Sequence, residues 1–183
     1  MTMLVLLDRD GVLNEECRGF VKNPGELVMI EGSAKAVADL NMSGHRVALI
    51  TNQSVVGRGI ISQDMLDRIH DALRTELAKE GGHLDEIFAC TDPPWAVTDR
   101  RKPGAGMLRE AIAQFRSTAA ETPMIGDSLR DLQAAATAKC RRILVRTGNG
   151  AATQADGLTP NILPVSVHEN LRDAVDMLLD KDL

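Results

Sequence analysis

The sequence predicts a doubly wound α/β protein on a mostly parallel sheet, and three observations lead there. Short apolar runs alternate along the chain with longer segments whose apolar residues recur at helical spacing. Several runs are apolar at every position, as strands buried on both faces are. Uncommitted polar residues gather just after the runs, where strands of an open parallel sheet present a ligand crevice.

The predicted strands are Met3–Leu7, Arg46–Ile50, Glu86–Cys90, Pro123–Ile125 and Arg142–Val145. Between them fall helices over Ser33–Met42, Ser62–Lys79, Gly106–Phe115 and Leu129–Ala138, with a last one over His168–Leu179. The second helix has the clearest signature. Leu66, Ile69, Leu73 and Leu77 form one stripe, Ser62 suits the N-cap, and Gly81 and Gly82 suit the stop. Strand and helix in alternation imply right-handed crossovers with helices on both faces of the sheet.

The chain's 183 residues fit one domain spanning 1–183, with no internal repeat or linker. A net charge of −5 and 2% aromatic residues argue against a nucleic-acid partner, which wants a basic footprint or stacking platforms. No apolar run reaches transmembrane length, and the start MTMLVLLDRD lacks the basic region of a secretory signal. Cys17, Cys90 and Cys140, odd in number and far apart, read as reduced thiols in a cytoplasmic protein, with Cys140 a small buried hydrophobe. A monomer is expected.

The polar groups at the strand ends carry the chemistry. Asp8 and Asp10 follow the first strand; if strand geometry persists, both project to one side while Arg9 points away. Carboxylates so close repel one another unless a cation lies between them. Asp127, at another strand end, completes a set of hard oxygen ligands suited to Mg²⁺, and the absence of histidine or thiolate there disfavours zinc. With a metal bound, one carboxylate can be nucleophile and the other acid, then base. A phosphoryl group suits such a site, because its transfer depends on positioning and charge neutralisation. Lys102 can supply that charge, Thr51 and nearby N–H groups can hold a phosphoryl oxygen, and Gly11 permits close backbone approach.

The stretches DRDGVLN, ITNQS, RRKPGAGM and IGDSLRD resemble, in order and spacing, the four motifs of the haloacid dehalogenase superfamily, and with LVRTGNG they are most similar to its small, capless histidinol-phosphatase-type branch. The resemblance covers most of the chain. It implies a phosphomonoesterase in which Asp8 forms an aspartyl phosphate and Asp10 protonates the leaving oxygen and later activates water. Thr51 and Lys102 would stabilise the phosphoryl group, and Arg101 would help recognise the substrate. Mg²⁺ would be held by Asp8, the backbone carbonyl of Asp10, and Asp127. The stretch Glu16, Cys17, Arg18, Gly19 and the stretch Asn52, Gln53, Ser54 would line the substrate. A heptose bisphosphate is the expected substrate, with histidinol phosphate the nearest rival.

Two departures from the branch stand out. Many members carry a zinc loop, Cys-x-His then Cys-x-Cys, before the Arg-Lys pair. Here only Cys90 remains: Asp92 replaces the His, and Thr98 and Arg100 replace the second Cys pair, so no structural zinc is expected. Ser128 also stands where a Lys is frequent.

Simpler readings exist for several of these residues. Asp8 and Asp10 can form a turn, Thr51 can be an ordinary strand residue, and Lys102 can belong to a solvated basic run. Asp127 can cap the helix that follows it, and Asp131 is either support for the site or a solvated acid. Arg146 reads as structural, with Arg58 and Arg18 as weaker candidates for a second anion of the substrate. His45, His70, His83 and His168 read as surface residues, and Trp95 as loop packing. A function of another class is a receiver-type module that stores a phospho-aspartate; Asp10 argues against it, because it offers a second acid to activate water.

Overall fold

The computed structural model describes residues 2–17 and 19–180. Arg18, one of the sequence-predicted substrate residues, lies outside the described residues. Six parallel strands form one sheet in the order β3-β2-β1-β4-β5-β6: β1 (Leu4–Leu7), β2 (Arg46–Asn52), β3 (Glu86–Cys90), β4 (Pro123–Gly126), β5 (Arg141–Val145) and β6 (Ser166–His168). Among the described residues seven α-helices accompany them: α1 (Ser33–Met42), α2 (Ser54–Gly57), α3 (Gln63–Lys79), α4 (Gly106–Phe115), α5 (Leu129–Ala138), α6 (Gly150–Ala155) and α7 (Leu171–Asp180).

Side-chain alternation assigns the residues of the central strands β1 and β2 to two cores. Val5 and Leu7 of β1, with Val47 and Leu49 of β2, meet α1, α3 and α7, whereas Leu4, Leu6, Ala48 and Ile50 meet α4 and α5. Each fully buried Leu or Ile contributes about 1.5–3 kcal/mol relative to an exposed one. That two-sided burial is why the strands are apolar throughout. Leu7 lies opposite both Leu49 of β2 and Ile125 of β4, so β1 is central.

The chain winds from β1 outward through β2 to β3, then returns to place β4 on the other side of β1. Strand order therefore reverses between β1 and β4, and the crevice beyond their C-terminal ends is the expected ligand position for such a sheet.

Helix ends follow the sequence signals. The Ser62 hydroxyl accepts from Met65 N at 3.1 Å to start α3, and Gly81, at φ +83, follows its end. Some expectations need correction. His168 ends strand β6, and α7 begins only at Leu171, because a three-residue edge strand with one apolar residue carries too little pattern to read. The helix after Asp127 is capped by Ser128, whose N and Oγ donate to Asp131 Oδ2 at 3.0 and 2.6 Å. His45 and His70 are buried rather than on the surface: Met3 N donates to His45 Nδ1 at 3.2 Å, and His70 lies on the inner stripe of α3. Trp95 is 71% exposed, with the Arg58 guanidinium 5.9 Å from its ring.

Candidate active site

Asp8 extends β1 by one hydrogen bond, its N donating to Ile125 O at 3.0 Å, and then the strand ends. Arg9 O collects the N–H groups of Val12, Leu13 and Asn14 at 3.3, 2.8 and 3.2 Å, closing a tight turn. Strand geometry thus does not reach Asp10, and Arg9 does not point away as expected. Its guanidinium folds back onto Asp10, with Nε 3.2 Å and Nη2 2.9 Å from Oδ1, and Nη2 3.1 Å from Oδ2.

Lys102 arrives from the loop before α4 and is fixed by the end of β2. Asn52 exchanges two bonds with its backbone, Nδ2 to Lys102 O at 2.9 Å and Lys102 N to Oδ1 at 3.0 Å. The ammonium is 2% exposed, donates to Ile50 O at 2.8 Å, and lies 2.9 Å from Asp8 Oδ1 and 2.6 Å from Asp131 Oδ1. Asp131, weighed equally as support or as a solvated acid, is wholly buried in this network.

Asp127 ends β4. Its Oδ2 accepts from Asn149 N at 2.7 Å, and Thr153 Oγ1 donates to its backbone carbonyl at 3.0 Å. Gly11 and Gly148 press against the same oxygen: a Cβ at either would fall 2.1 or 2.3 Å from it. Asp8, Asp127 and Asp131 each offer a carboxylate oxygen within 4.8 Å of the other two, the one such acid, His or Cys group among the described residues.

The electrostatics are unbalanced. Three clustered carboxylates share one ammonium. Burial, then the charges of Asp131, Asp127 and Asp10, push the Asp8 carboxyl well above the usual range, with Lys102 opposing. Burial and the Asp131 charge raise Asp127 to about 7. Burial opposes the charge on Lys102, but Asp131 and Asp8 outweigh it and raise its pKa. Burial also disfavours ionised Asp10, yet the Arg9 charge and bonds from Asn14, Arg9 and Gln53 prevail and hold that carboxyl below the ordinary range. A divalent cation bound by oxygen ligands would relieve the excess negative charge, so the donor set fits Mg²⁺.

The cavity over these groups is lined by Asp8, Asp10, Glu16, Asn52, Ser54, Arg101, Lys102 and Asp127, all sequence-predicted, and also by Phe20, Ser128, Arg130, Asp131 and Asn149. Thr51 and Gln53 are buried behind it, Gln53 Nε2 donating to both Thr51 Oγ1 and Asp10 Oδ2 at 2.9 Å. Cys17 and Gly19 are not among the lining residues. Arg146 pairs with exposed Glu169 at 2.7 Å, in keeping with a structural role. Arg130, two residues beyond Ser128, and Asn149, within the RTGNG stretch, carried no separate signal in the sequence. The loop that departs from the zinc pattern is tied by Asp92, whose Oδ2 accepts from Thr98 N at 2.7 Å and Oγ1 at 2.6 Å. Arg101 Nη1 donates to Asp92 O at 2.9 Å.

Comparison with known proteins agrees with this geometry. Residues 99–174 match the family model described as HAD-hydrolase-like. The chain is 42% identical over 178 residues to the D-glycero-β-D-manno-heptose-1,7-bisphosphate 7-phosphatase of Bordetella bronchiseptica, covering 97% of this chain and 98% of that one. The enzyme of the same name from Pseudomonas putida is 37% identical, covering 87% and 91%. Among solved structures, the D,D-heptose 1,7-bisphosphate phosphatase of B. bronchiseptica, complexed with magnesium and phosphate, superposes with a TM-score of 0.93 at 41% identity, covering 98% of this chain and 99% of that one. That of Burkholderia thailandensis gives 0.75 at 37% identity, covering 97% and 99%. With an acid cluster at the strand-order reversal and similarity along nearly its whole length, the chain belongs to the heptose bisphosphate phosphatase family of haloacid dehalogenase-like hydrolases.

Proposed function

We propose that residues 1–183 work as one phosphatase domain that hydrolyses the 7-phosphate of D-glycero-β-D-manno-heptose 1,7-bisphosphate through an aspartyl phosphate. The observation that carries the reading is the charge imbalance of the site: three clustered acids, Asp8, Asp127 and Asp131, with one buried ammonium that pairs with Asp8 and Asp131. Asp8, Asp127 and the Asp10 backbone carbonyl would hold Mg²⁺. When bound, the ion neutralises phosphoryl oxygens and lowers the pKa of Asp8.

Asp8 is the nucleophile: one carboxylate oxygen bonds to phosphorus as the bond from phosphorus to the sugar oxygen breaks. Asp10 gives that oxygen its proton. In the second half, Asp10 takes a proton from water as the water oxygen attacks phosphorus, and the aspartyl oxygen leaves. The resting site suits this second half, since Asp10 is held ionised. For the first, a singly protonated phosphoryl group, whose second pKa is about 6, can hand its proton to Asp10, which passes it to the leaving oxygen. Lys102 holds charge against the transferring group, and Thr51 supports it from behind.

Arg101 and Arg130 line the same cavity, and burial, then the Arg130 charge, lowers the Arg101 pKa. Two like charges on one rim favour a substrate with a second anionic group. The test is phosphate release with Mg²⁺ from the heptose bisphosphate, histidinol phosphate and a panel of metabolite monophosphates, with and without chelator. Selective, chelator-sensitive release from the bisphosphate is expected. Equal rates on all substrates would refute the substrate, and full activity in chelator would refute the metal.

A further inference from the structure

Arg9 stands between the two aspartates and is one of the largest fully buried side chains of the protein, at 1% exposed. A guanidinium so buried needs a paired charge, and among the described residues its only ion pair is with Asp10. Both halves of the residue are engaged. Its backbone N donates to Asp8 Oδ1 at 2.7 Å, while the side chain makes three contacts with the Asp10 carboxylate. The remaining edges of that carboxylate are held by Asn14 Nδ2 and Gln53 Nε2, each at 2.9 Å. None of Arg9, Asn14 and Gln53 lines the cavity, whereas Asp10 does, with 24% of its side chain exposed.

We infer that Arg9 is a positioning residue for proton transfer: its buried guanidinium fork sets the plane and rotamer of the Asp10 carboxylate at the cavity wall. This rests on Asp10 being the acid and base of the reaction. The fork is essential to the argument, because a planar guanidinium reaches both carboxylate oxygens where an ammonium meets them as a point charge. Misplacing a reacting group by about 1 Å can cost about 10²-fold in rate.

The test compares Arg9→Lys with wild type on two probes under saturating Mg²⁺. The leaving group from fructose 1,6-bisphosphate is a sugar alkoxide that needs a proton, and that from 4-nitrophenyl phosphate is a stable phenolate. Arg9→Lys is expected to lower single-turnover phosphoryl transfer from the sugar bisphosphate about 10- to 100-fold. Transfer from the nitrophenyl ester, and KM for both probes, should stay within about threefold. Equal losses on the two probes, no loss on either, or a loss confined to KM would overturn the inference. Arg9→Met, which fills similar volume without the charge, serves if the lysine variant is unfolded. Failure of both to fold would also overturn it, since Arg9 would then be required for the core itself. Asp10→Asn is the control for the underlying reading: if it shows no dependence on the leaving group, it is the role of Asp10 that fails, not that of Arg9.

Discussion

Gly11→Ala puts one methyl group where the structure has no room for it. An alanine Cβ would lie 2.1 Å from Asp127 Oδ2, and Gly148 Cα lies 3.1 Å from the same point, so retreat on that side is blocked. Carbon and oxygen essentially never approach within 3.0 Å in this way, so the Asp127 carboxylate must withdraw by close to an ångström. The backbone at φ +79 adds about 1–2 kcal/mol for a residue with a side chain. Losing the bond from Asn149 N to the carboxylate adds about 1.5–3 kcal/mol. The total is about 3–5 kcal/mol, which for a chain of this size lowers Tm by about 10 °C. Magnesium activation should suffer as well, with a half-saturating concentration raised about tenfold for each 1.4 kcal/mol lost at the ion's ligand. The assay is thermal unfolding plus a Mg²⁺ titration of phosphate release. Gly59→Ala is the control, at φ +70 with nothing within 4 Å of the added carbon; it carries only the conformational cost and leaves Mg²⁺ dependence unchanged. Identical Mg²⁺ titrations for Gly11→Ala and wild type would refute the placement of Asp127 as a metal ligand.

Two further predictions concern pH. Asp127, raised to about 7, binds more protons folded than unfolded between about pH 4 and 7; this stabilises the metal-free protein at low pH by up to about 4 kcal/mol, and the benefit is lost as pH rises through 7. A cation removes the cause, so the gain in Tm from Mg²⁺ should be larger at pH 8 than at pH 5.5, and equal gains would contradict this. His70 has the opposite sign. Burial and then the Arg9 charge lower it to about 4, so the unfolded chain binds the extra proton and stability falls as pH drops from about 6.5 to 4, by up to about 3 kcal/mol. In urea unfolding with Mg²⁺ present, His70→Asn should lose less stability than wild type between pH 7.5 and 5; parallel losses would show that His70 is not the group responsible.

How much of this was legible follows from the range of each interaction. The run Leu4–Leu7 is apolar because both faces are covered, and α1, α4 and α5 keep their predicted bounds. Asp8, Asp10 and Asp127 stand out because acids at strand ends have few other reasons to be there, and Lys102 because a basic run before Pro103 and a helix start suits an anion. The edge strand β6 and the short helix α6 carry too few residues for periodicity to register. Arg9 and His70 were misjudged for a different reason. His70 reads as a surface residue when taken alone and Arg9 as pointing away when strand alternation is carried through it; only the tight turn after Asp8 brings the guanidinium onto Asp10. Asn149 and Arg130 likewise reach the cavity only because β1, β4 and β5 end side by side.

The most direct test is to trap the covalent intermediate. Enzyme mixed with heptose bisphosphate and Mg²⁺, quenched in acid within a turnover and reduced with borohydride, should carry homoserine at position 8, as reduction of an acyl phosphate leaves. Homoserine at another aspartate, or rapid phosphate release with none formed at all, would contradict attack by Asp8.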